Sequence, residues 1–390
     1  MIDVTRLRAD TPGTDHVVHL NNAGAALMPQ PVIDAMLGYL EYEVNYGGYE
    51  AHRKFHNEVS ATYGSIAAIL NAAPREISLA DNATRAWDMA LYGLDLGDGD
   101  TVITTMSEYV SNWAAYVQRR DRDGIRIVVV PDTSDGDIDL DALAAAIDGS
   151  TKLISMNHIP TQAGTILPAA EVGAIAREHG VPFLLDACQS VGHVPIDVEA
   201  IGCDMLTATA RKYLRGPRGQ GFLYVREGFA DELTPPFVET QNAFVFPDHI
   251  DVRSGMTRFE TWEKNYAGVV GLGVAAEYAR SVGIAEISAR IIELAAGVRA
   301  GLDDIDGVTV RDRGTHLGGI VPFEVDGRTP IEVRELLSER NINTSVITPQ
   351  SAPVDLHDRQ IEGMVRASVH AYNTEAEIEA FLEAMHVIAG

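Results

Sequence analysis

Two side chains define the chemistry open to this chain. Asp186 closes the apolar run Pro182–Asp186, and Lys212 stands shortly after a second, Met205–Thr209, where the chain enters a glycine- and proline-rich turn, Leu214-Arg-Gly-Pro-Arg-Gly219. In open α/β sheets, ligands bind at the carboxyl ends of strands. A lysine placed there can form a Schiff base with an aldehyde cofactor. A carboxylate ahead of it can keep a pyridine nitrogen protonated, so that the ring serves as an electron sink. Pyridoxal 5'-phosphate (PLP) needs both. Singly, each residue has a plainer reading: a lysine beyond a strand is usually a solvated charge, and an Asp at a strand end is often a cap or turn residue. Together, in this order, they point to a PLP enzyme acting on an amino acid, with Lys212 as the anchor and Asp186 as the pyridine acid.

The elements that must place these residues are read from period and length. Thr101–Thr105, Arg126–Val130, Lys152–Met156, Pro182–Asp186, Met205–Thr209 and Gly221–Val225 are short, apolar and rich in Val, Ile and Leu, and read as buried strands. Helical patterns fall between several of them, at Leu140–Ile147 and at Pro168–His179, the latter stopped by Gly180. Strands alternating with helices predict an α/β fold with a mostly parallel sheet covered on both faces. Beyond about Thr257 the pattern changes. Tyr266–Leu302 reads as largely helical, followed by strands at Val308–Val310, Ile320–Val325 and Val365–Val369 and helices at Pro330–Arg340 and Thr374–Ile388. The expected division is a large PLP-binding domain over 15–265 and a small α+β domain made of 1–14 with 266–390.

Composition narrows the partners. Lys and Arg number 30 against 56 Asp and Glu, a net charge of −26 that repels phosphate backbones and anionic lipid. Nucleic acid and membrane surfaces are therefore not expected partners, and no run approaches the roughly 18 apolar residues of a membrane span. The two cysteines, Cys188 and Cys203, make no disulfide framework, which fits a cytoplasmic location. No Cys/His cluster has ligand spacing, so no metal is expected.

Several segments carry a resemblance: Glu43-Val-Asn-Tyr-Gly-Gly-Tyr49, Ser107-Glu-Tyr109 and Arg211-Lys-Tyr-Leu-Arg-Gly-Pro-Arg-Gly219. From Leu20 to about Leu382 the chain resembles the class V aminotransferase family of fold-type I PLP-dependent enzymes, which includes cysteine desulfurases, isopenicillin N epimerase-like proteins and C–S lyases. Within the family those segments are most similar to lyases that cleave hercynylcysteine sulfoxide. The resemblance implies a seven-stranded, mostly parallel sheet domain, a small C-terminal domain, PLP as cofactor and assembly into a homodimer.

Position by position, the resemblance also assigns contacts. Asn82-Ala83-Thr84 precedes an apolar helical run, Trp87–Leu94, and the N–H groups and hydroxyl of Ala83 and Thr84 at that helix start would hold the phosphate, although a plain N-cap at Thr84 explains them equally well. Thr209 and Arg211 match further phosphate ligands, with Arg211 where the family has His. Gln189 matches the residue that hydrogen-bonds the phenolic oxygen. Tyr109 falls where desulfurases stack a histidine over the ring, and a phenol is a poorer proton donor than imidazole at neutral pH. Lys212, Asp186 and Tyr109 are thus the expected catalytic residues. Arg366 matches the arginine that grips the substrate α-carboxylate, a task suited to a planar guanidinium. His158 and Thr161 fall where the family has His and Asn, and His158 reads either as a site residue or as a packed one. Arg258-Phe-Glu260 resembles a segment that approaches the partner subunit's phosphate, but Trp262-Glu263 replaces the family's Gly-Thr, and no ligand is assigned there. Tyr46-Gly-Gly-Tyr49 reads as a loop at the substrate mouth or a turn between helices.

Reaction type turns on sulfur handling. A desulfurase of this family needs a nucleophilic cysteine on a late loop, and the corresponding stretch, Asn341–Gly363, contains none. Cys188 is expected to pack behind the cofactor. The expected reaction is β- or γ-elimination or replacement with C–S cleavage, of a kind found in specialised metabolism, with an aminotransferase or epimerase as the alternative. A PLP-binding regulator is disfavoured, because the lysine and the acid are both present.

Overall fold

The computed structural model describes residues 2–390 and is built around one seven-stranded sheet. Its strands are β1 (Ile77–Ala80), β2 (Thr101–Thr105), β3 (Arg126–Val130), β4 (Thr151–Asn157), β5 (Phe183–Asp186), β6 (Met205–Thr209) and β7 (Gly221–Val225). Their order is β1–β7–β6–β5–β4–β2–β3. Only β7 runs against its neighbours, antiparallel to both β1 and β6; the remaining pairs are parallel.

Successive residues of the central strands belong to opposite faces, which is why these runs are apolar throughout. Val102, Leu153, Leu184 and Met205 pack with Ala86, Trp87, Ala90 and Leu91 of one helix and with Ala115 and Tyr116 of another. These helices are Ala83–Gly93 and Val110–Asp123. Ile103, Ile154, Leu185 and Leu206 face the other way, into the core that holds Val172 and Ala176 of the helix Ala169–His179. That helix ends at Gly180, whose φ of 66° is the left-handed turn a glycine accommodates without strain.

The C-terminal part carries a second, antiparallel sheet of β8 (Val308–Val310), β9 (Ile320–Val325), β10 (Ser345–Ile347) and β11 (Met364–Ser368), in the order β8–β9–β11–β10. The N-terminal segment is tied to it. Ser368 N–H donates to Leu20 O at 2.7 Å, and Arg8 pairs with Glu377 at 2.7 Å. Among the described residues, no helix is long and apolar enough to cross a membrane, and no cluster of three or more His, Cys, Asp or Glu is arranged to hold a metal ion.

Four of the six strands expected in the main sheet coincide with their expected limits; Thr151–Asn157 is one residue longer at each end than expected, and Phe183–Asp186 begins one residue later. The C-terminal strand lies one residue earlier than expected, at Met364–Ser368. The expected long helix over Tyr266–Leu302 is two, Tyr266–Val282 and Ile284–Asp303, broken at Gly283 with φ 96°. Neither β1 nor β10 is expected from the sequence. Each is only three or four residues long and is specified by the strand it pairs with.

Candidate active site

The carboxyl ends of β4, β5 and β6 open onto a cavity of about 260 Å³. It is lined by Ala83, Thr84, Tyr109, Asp186, Gln189, Thr209, Arg211 and Lys212, all eight residues expected to contact the cofactor. Asn82, Asn157, Ile159, Thr161, Cys188 and Gly219 complete the wall.

Each is placed by a local feature. Asp186 is the last residue of β5, and its neighbour Cys188 turns back so that its N–H donates to Asp186 Oδ1 at 2.9 Å. A second donor, Asn112 Nδ2, reaches Asp186 Oδ2 at 3.0 Å. Asn82 caps the helix behind the cavity, accepting from Arg85 N–H at 3.0 Å, which leaves Ala83 and Thr84 at its positive end. A Cβ on Gly221 would lie 2.6 Å from Asn82 C and 2.7 Å from Ala83 N. The start of β7 therefore has to be bare for the helix end to seat against it.

Lys212 is buried, and no hydrogen bond or ion pair holds its amine among the described residues. Burial draws the Lys212 ammonium down to about 8, and Arg211 and Arg366 push the same way while Asp186 opposes. Its Nζ lies 6.0 Å from the centre of the Tyr109 ring. Gln189 is buried with Oε1 lacking any partner, while its Nε2 donates to Ala23 O at 3.0 Å and lies 3.4 Å from Thr161 Oγ1. A helix N-terminus with Ala83 and Thr84 at the cavity, a free buried amine, a fixed carboxylate and an orphaned amide oxygen fit an anionic, heteroaromatic aldehyde such as PLP. To donate to a phenolic oxygen, as expected, Gln189 has to rotate its amide.

Arg366 lies beside the cavity on β11. It is 4% exposed, and its guanidinium donates to Thr161 Oγ1 at 2.7 Å, to Thr161 O at 3.1 Å and to Asn21 Oδ1 at 3.4 Å. It pairs with no carboxylate among the described residues, and its Nε has no partner. Burial lowers its guanidinium to about 10. A buried cation held only by neutral oxygens is a site for an anion.

Other expectations fare differently. His158 follows β4 but does not line the cavity; it is buried, its Nδ1 lacks a partner, and burial holds its ring down at about 4, hence neutral. Cys188 is not hidden behind the cavity but forms part of its wall. Its turn toward Asp186 Oδ1 brings it there, and burial together with the Asp186 charge pushes its thiol well up. Cys203 is 1% exposed and lies away from this cavity. Arg258 is committed to Asp231, at 2.5 Å. Tyr46 and Tyr49 are exposed, on either side of a helix break at Gly47 with φ 102°. Glu108, Asn112 and Asn157 carry little signal in the sequence beyond the short polar stretch Ser107-Glu-Tyr109 ahead of a helix.

The aminotransferase class-V family model matches residues 18–381. The chain belongs to the aminotransferase class-V family. Among its relatives, a probable cysteine desulfurase of Methanothermobacter thermautotrophicus is 31% identical over 394 residues, covering 98% of each chain. The apo structure of a cysteine desulfurase from Thermococcus onnurineus NA1 superposes with a TM-score of 0.93 at 27% identity, covering 100% of this chain and 98% of that one. A cystine C–S lyase in complex with its reaction product, cysteine persulfide, superposes with a TM-score of 0.87 at 24% identity, over 96% of this chain and 99% of that one; this is a likeness of fold. Class-V membership bears out the expected family, the seven-stranded α/β fold and the PLP-dependent class of enzyme.

Proposed function

We propose that this class-V enzyme cleaves the C–S bond of a cysteine-derived amino acid by β-elimination, releasing the sulfur fragment without passing it to a protein thiol. The observation that carries this reading is where the thiols are. Val110 N–H donates to Ser351 O at 3.3 Å, which brings the late loop against the neighbour of Tyr109, and that loop has no cysteine. Cys188 is at the cavity wall, but desolvation and the Asp186 charge push its thiol up, and a thiol is a poorer sulfur acceptor than a thiolate.

PLP, when bound, supplies the electron-withdrawing ring that lets a substrate Cα–H ionise. The chain's own residues supply the rest. Ala83, Thr84, Thr209 and Arg211 would hold its phosphate, and Asp186 would keep a proton on its pyridine nitrogen. Tyr109 would cover the ring, and Gln189 would meet the phenolic oxygen. Lys212 would anchor the group and, with its amine free, would take the substrate Cα proton on Nζ. Arg366 orients the α-carboxylate. Loss of that proton to Nζ together with loss of the sulfur substituent from Cβ would make the elimination. From a sulfoxide substrate, such as hercynylcysteine sulfoxide, the sulfur fragment would leave as a sulfenate. With water, the balanced products are a keto acid, ammonia and the sulfur fragment. The same reading takes the protein as a homodimer with the two-domain division given above.

The relatives' names support a second reading, cysteine desulfuration, in which a thiol attacks sulfur and the substrate leaves as alanine. Product analysis with cysteine, cystine and S-substituted cysteine sulfoxides separates the two. Pyruvate and ammonia, retained when Cys188 is changed to Ala, support elimination. Alanine, with a persulfide on Cys188 detected by mass spectrometry, overturns it.

A further inference from the structure

Behind Asp186 lies a buried carboxyl that touches neither the cavity nor any basic side chain among the described residues. Glu108 is 0% exposed. Its Oε1 accepts from Tyr109 N–H at 2.7 Å and from Asn112 Nδ2 at 3.0 Å. Its Oε2 accepts from Thr104 Oγ1 at 2.6 Å and lies 3.2 Å from the Tyr116 hydroxyl, itself 2.8 Å from Ser155 Oγ. The amide nitrogen of Asn112 has two protons, and the second serves Asp186 Oδ2 at 3.0 Å. One oxygen of Glu108 is therefore one hydrogen bond from the backbone of Tyr109 and two from the carboxylate of Asp186.

We propose that Glu108 is a positioning residue: by fixing Asn112 and the Tyr109 backbone it sets the pyridine acid and the ring-covering tyrosine in register with one another. Asp186 has two restraints, Cys188 N–H on Oδ1 and Asn112 on Oδ2. The first is backbone and survives any side-chain change. The second depends on how Asn112 is held, and Asn112, at 2% exposure, has beside Glu108 only Asn157 Oδ1, at 3.5 Å, to hold its amide among the described residues. Releasing Asn112 leaves Asp186 free to turn about Cα–Cβ, away from the position in which it holds a proton on the ring nitrogen. Burial also pushes the Glu108 carboxyl up to about 7. Below that pH its role is filled by hydrogen-bond geometry rather than by a fixed charge, and glutamine should be able to take its place.

This inference rests on the proposed role of Asp186 toward PLP. The test is 15N NMR of holoenzyme carrying PLP labelled at the pyridine nitrogen, titrated with pH. Wild type should keep the ring nitrogen protonated. In Asn112→Ala and in Glu108→Ala, PLP should stay bound while the midpoint for losing that proton falls by about one pH unit or more, roughly tenfold in the proton equilibrium. The double variant should fall no further than Asn112→Ala, because both changes remove one restraint. Glu108→Gln should behave as wild type. An unchanged midpoint in Asn112→Ala, additive effects in the double variant, or a midpoint in Glu108→Gln as low as in Glu108→Ala would overturn the proposal. If Glu108→Ala does not fold, Asn112→Ala and Glu108→Gln decide it between them. A wild-type ring nitrogen already unprotonated at neutral pH would instead sink the role given to Asp186, and this inference with it.

Discussion

The amine of Lys212 lies 6.0 Å from the centre of the Tyr109 ring, so an aromatic face of the cavity wall lies over the nitrogen proposed to react there. Burial in that setting, with Lys212 only 8% exposed, explains why its ammonium releases a proton more readily than an ordinary lysine.

The neutral amine is the nucleophile, and Lys212 is largely neutral only above about 8. The rate at which apoprotein takes up PLP should therefore rise with pH, about tenfold per unit below 8, and level off above it. Continued rise toward pH 10 would show that an ordinary lysine is reacting. Borohydride reduction should leave the label on Lys212; finding it on Lys54, Lys152 or Lys264 would refute the assignment.

Asp186→Ala should still bind PLP, because the contacts at Ala83, Thr84, Thr209 and Arg211 are untouched. Turnover should drop by a factor on the order of 100 or more, since charge developing at Cα then has no protonated ring to receive it. Steady-state kinetics on the loaded variant checks this, and near wild-type turnover would mean that another group protonates the ring.

Arg366→Lys should raise KM by roughly 10- to 100-fold, the worth of a charge-assisted hydrogen bond lost from a bidentate pair. Esterified substrates should lose that advantage on the wild type. Equal reaction of ester and free acid would place the carboxylate elsewhere.

Glu108 gives a pH signature in stability. Its carboxyl is raised from 4.5 to about 7 in the folded chain, so the folded state holds the proton more tightly than the unfolded one. Wild type should lose stability as pH rises through that window, by roughly 3 kcal/mol once the carboxyl is fully ionised. Glu108→Gln should not. The melting temperature of the variant relative to wild type should climb between pH 4.5 and 7; a constant difference would contradict it.

The exposed apolar side chains Phe244, Val245, Ile250 and Val252 lie on one hairpin, and Leu37, Leu40 and Val44 on the helix Gln30–Tyr46. Such surface is costly to leave in water and supports the proposed homodimer. Light scattering should report about twice the 42.1 kDa chain mass. A fully active monomer at working concentration would exclude the dimer.

The sequence made legible what is local and covalently close. Asp186 and Lys212 each sit at or just past an apolar run whose strand character needs no partner, and β2, β3, β6 and β7 have their expected limits. What stayed hidden depends on distant neighbours. Strand β1 is four residues that become a strand only against β7, more than a hundred residues on. Glu108 and Asn112 look like ordinary polar residues at a helix start. Their burial follows only once Asp186 and Tyr116 close over them. His158 shows the converse: being next to a functional strand in sequence did not place it in the cavity, because side chains alternate across that strand's end.

One consequence of the layout concerns the order in which the ribosome delivers the parts. Every residue that lines the cavity lies between Asn82 and Gly219, whereas Arg366 is on β11, among the last segments made. A nascent chain thus has all the groups for capturing the cofactor well before it has the one for gripping an amino acid. The cofactor contacts and the arginine beside them are thus carried by segments more than a hundred residues apart, and only the completed fold brings them together.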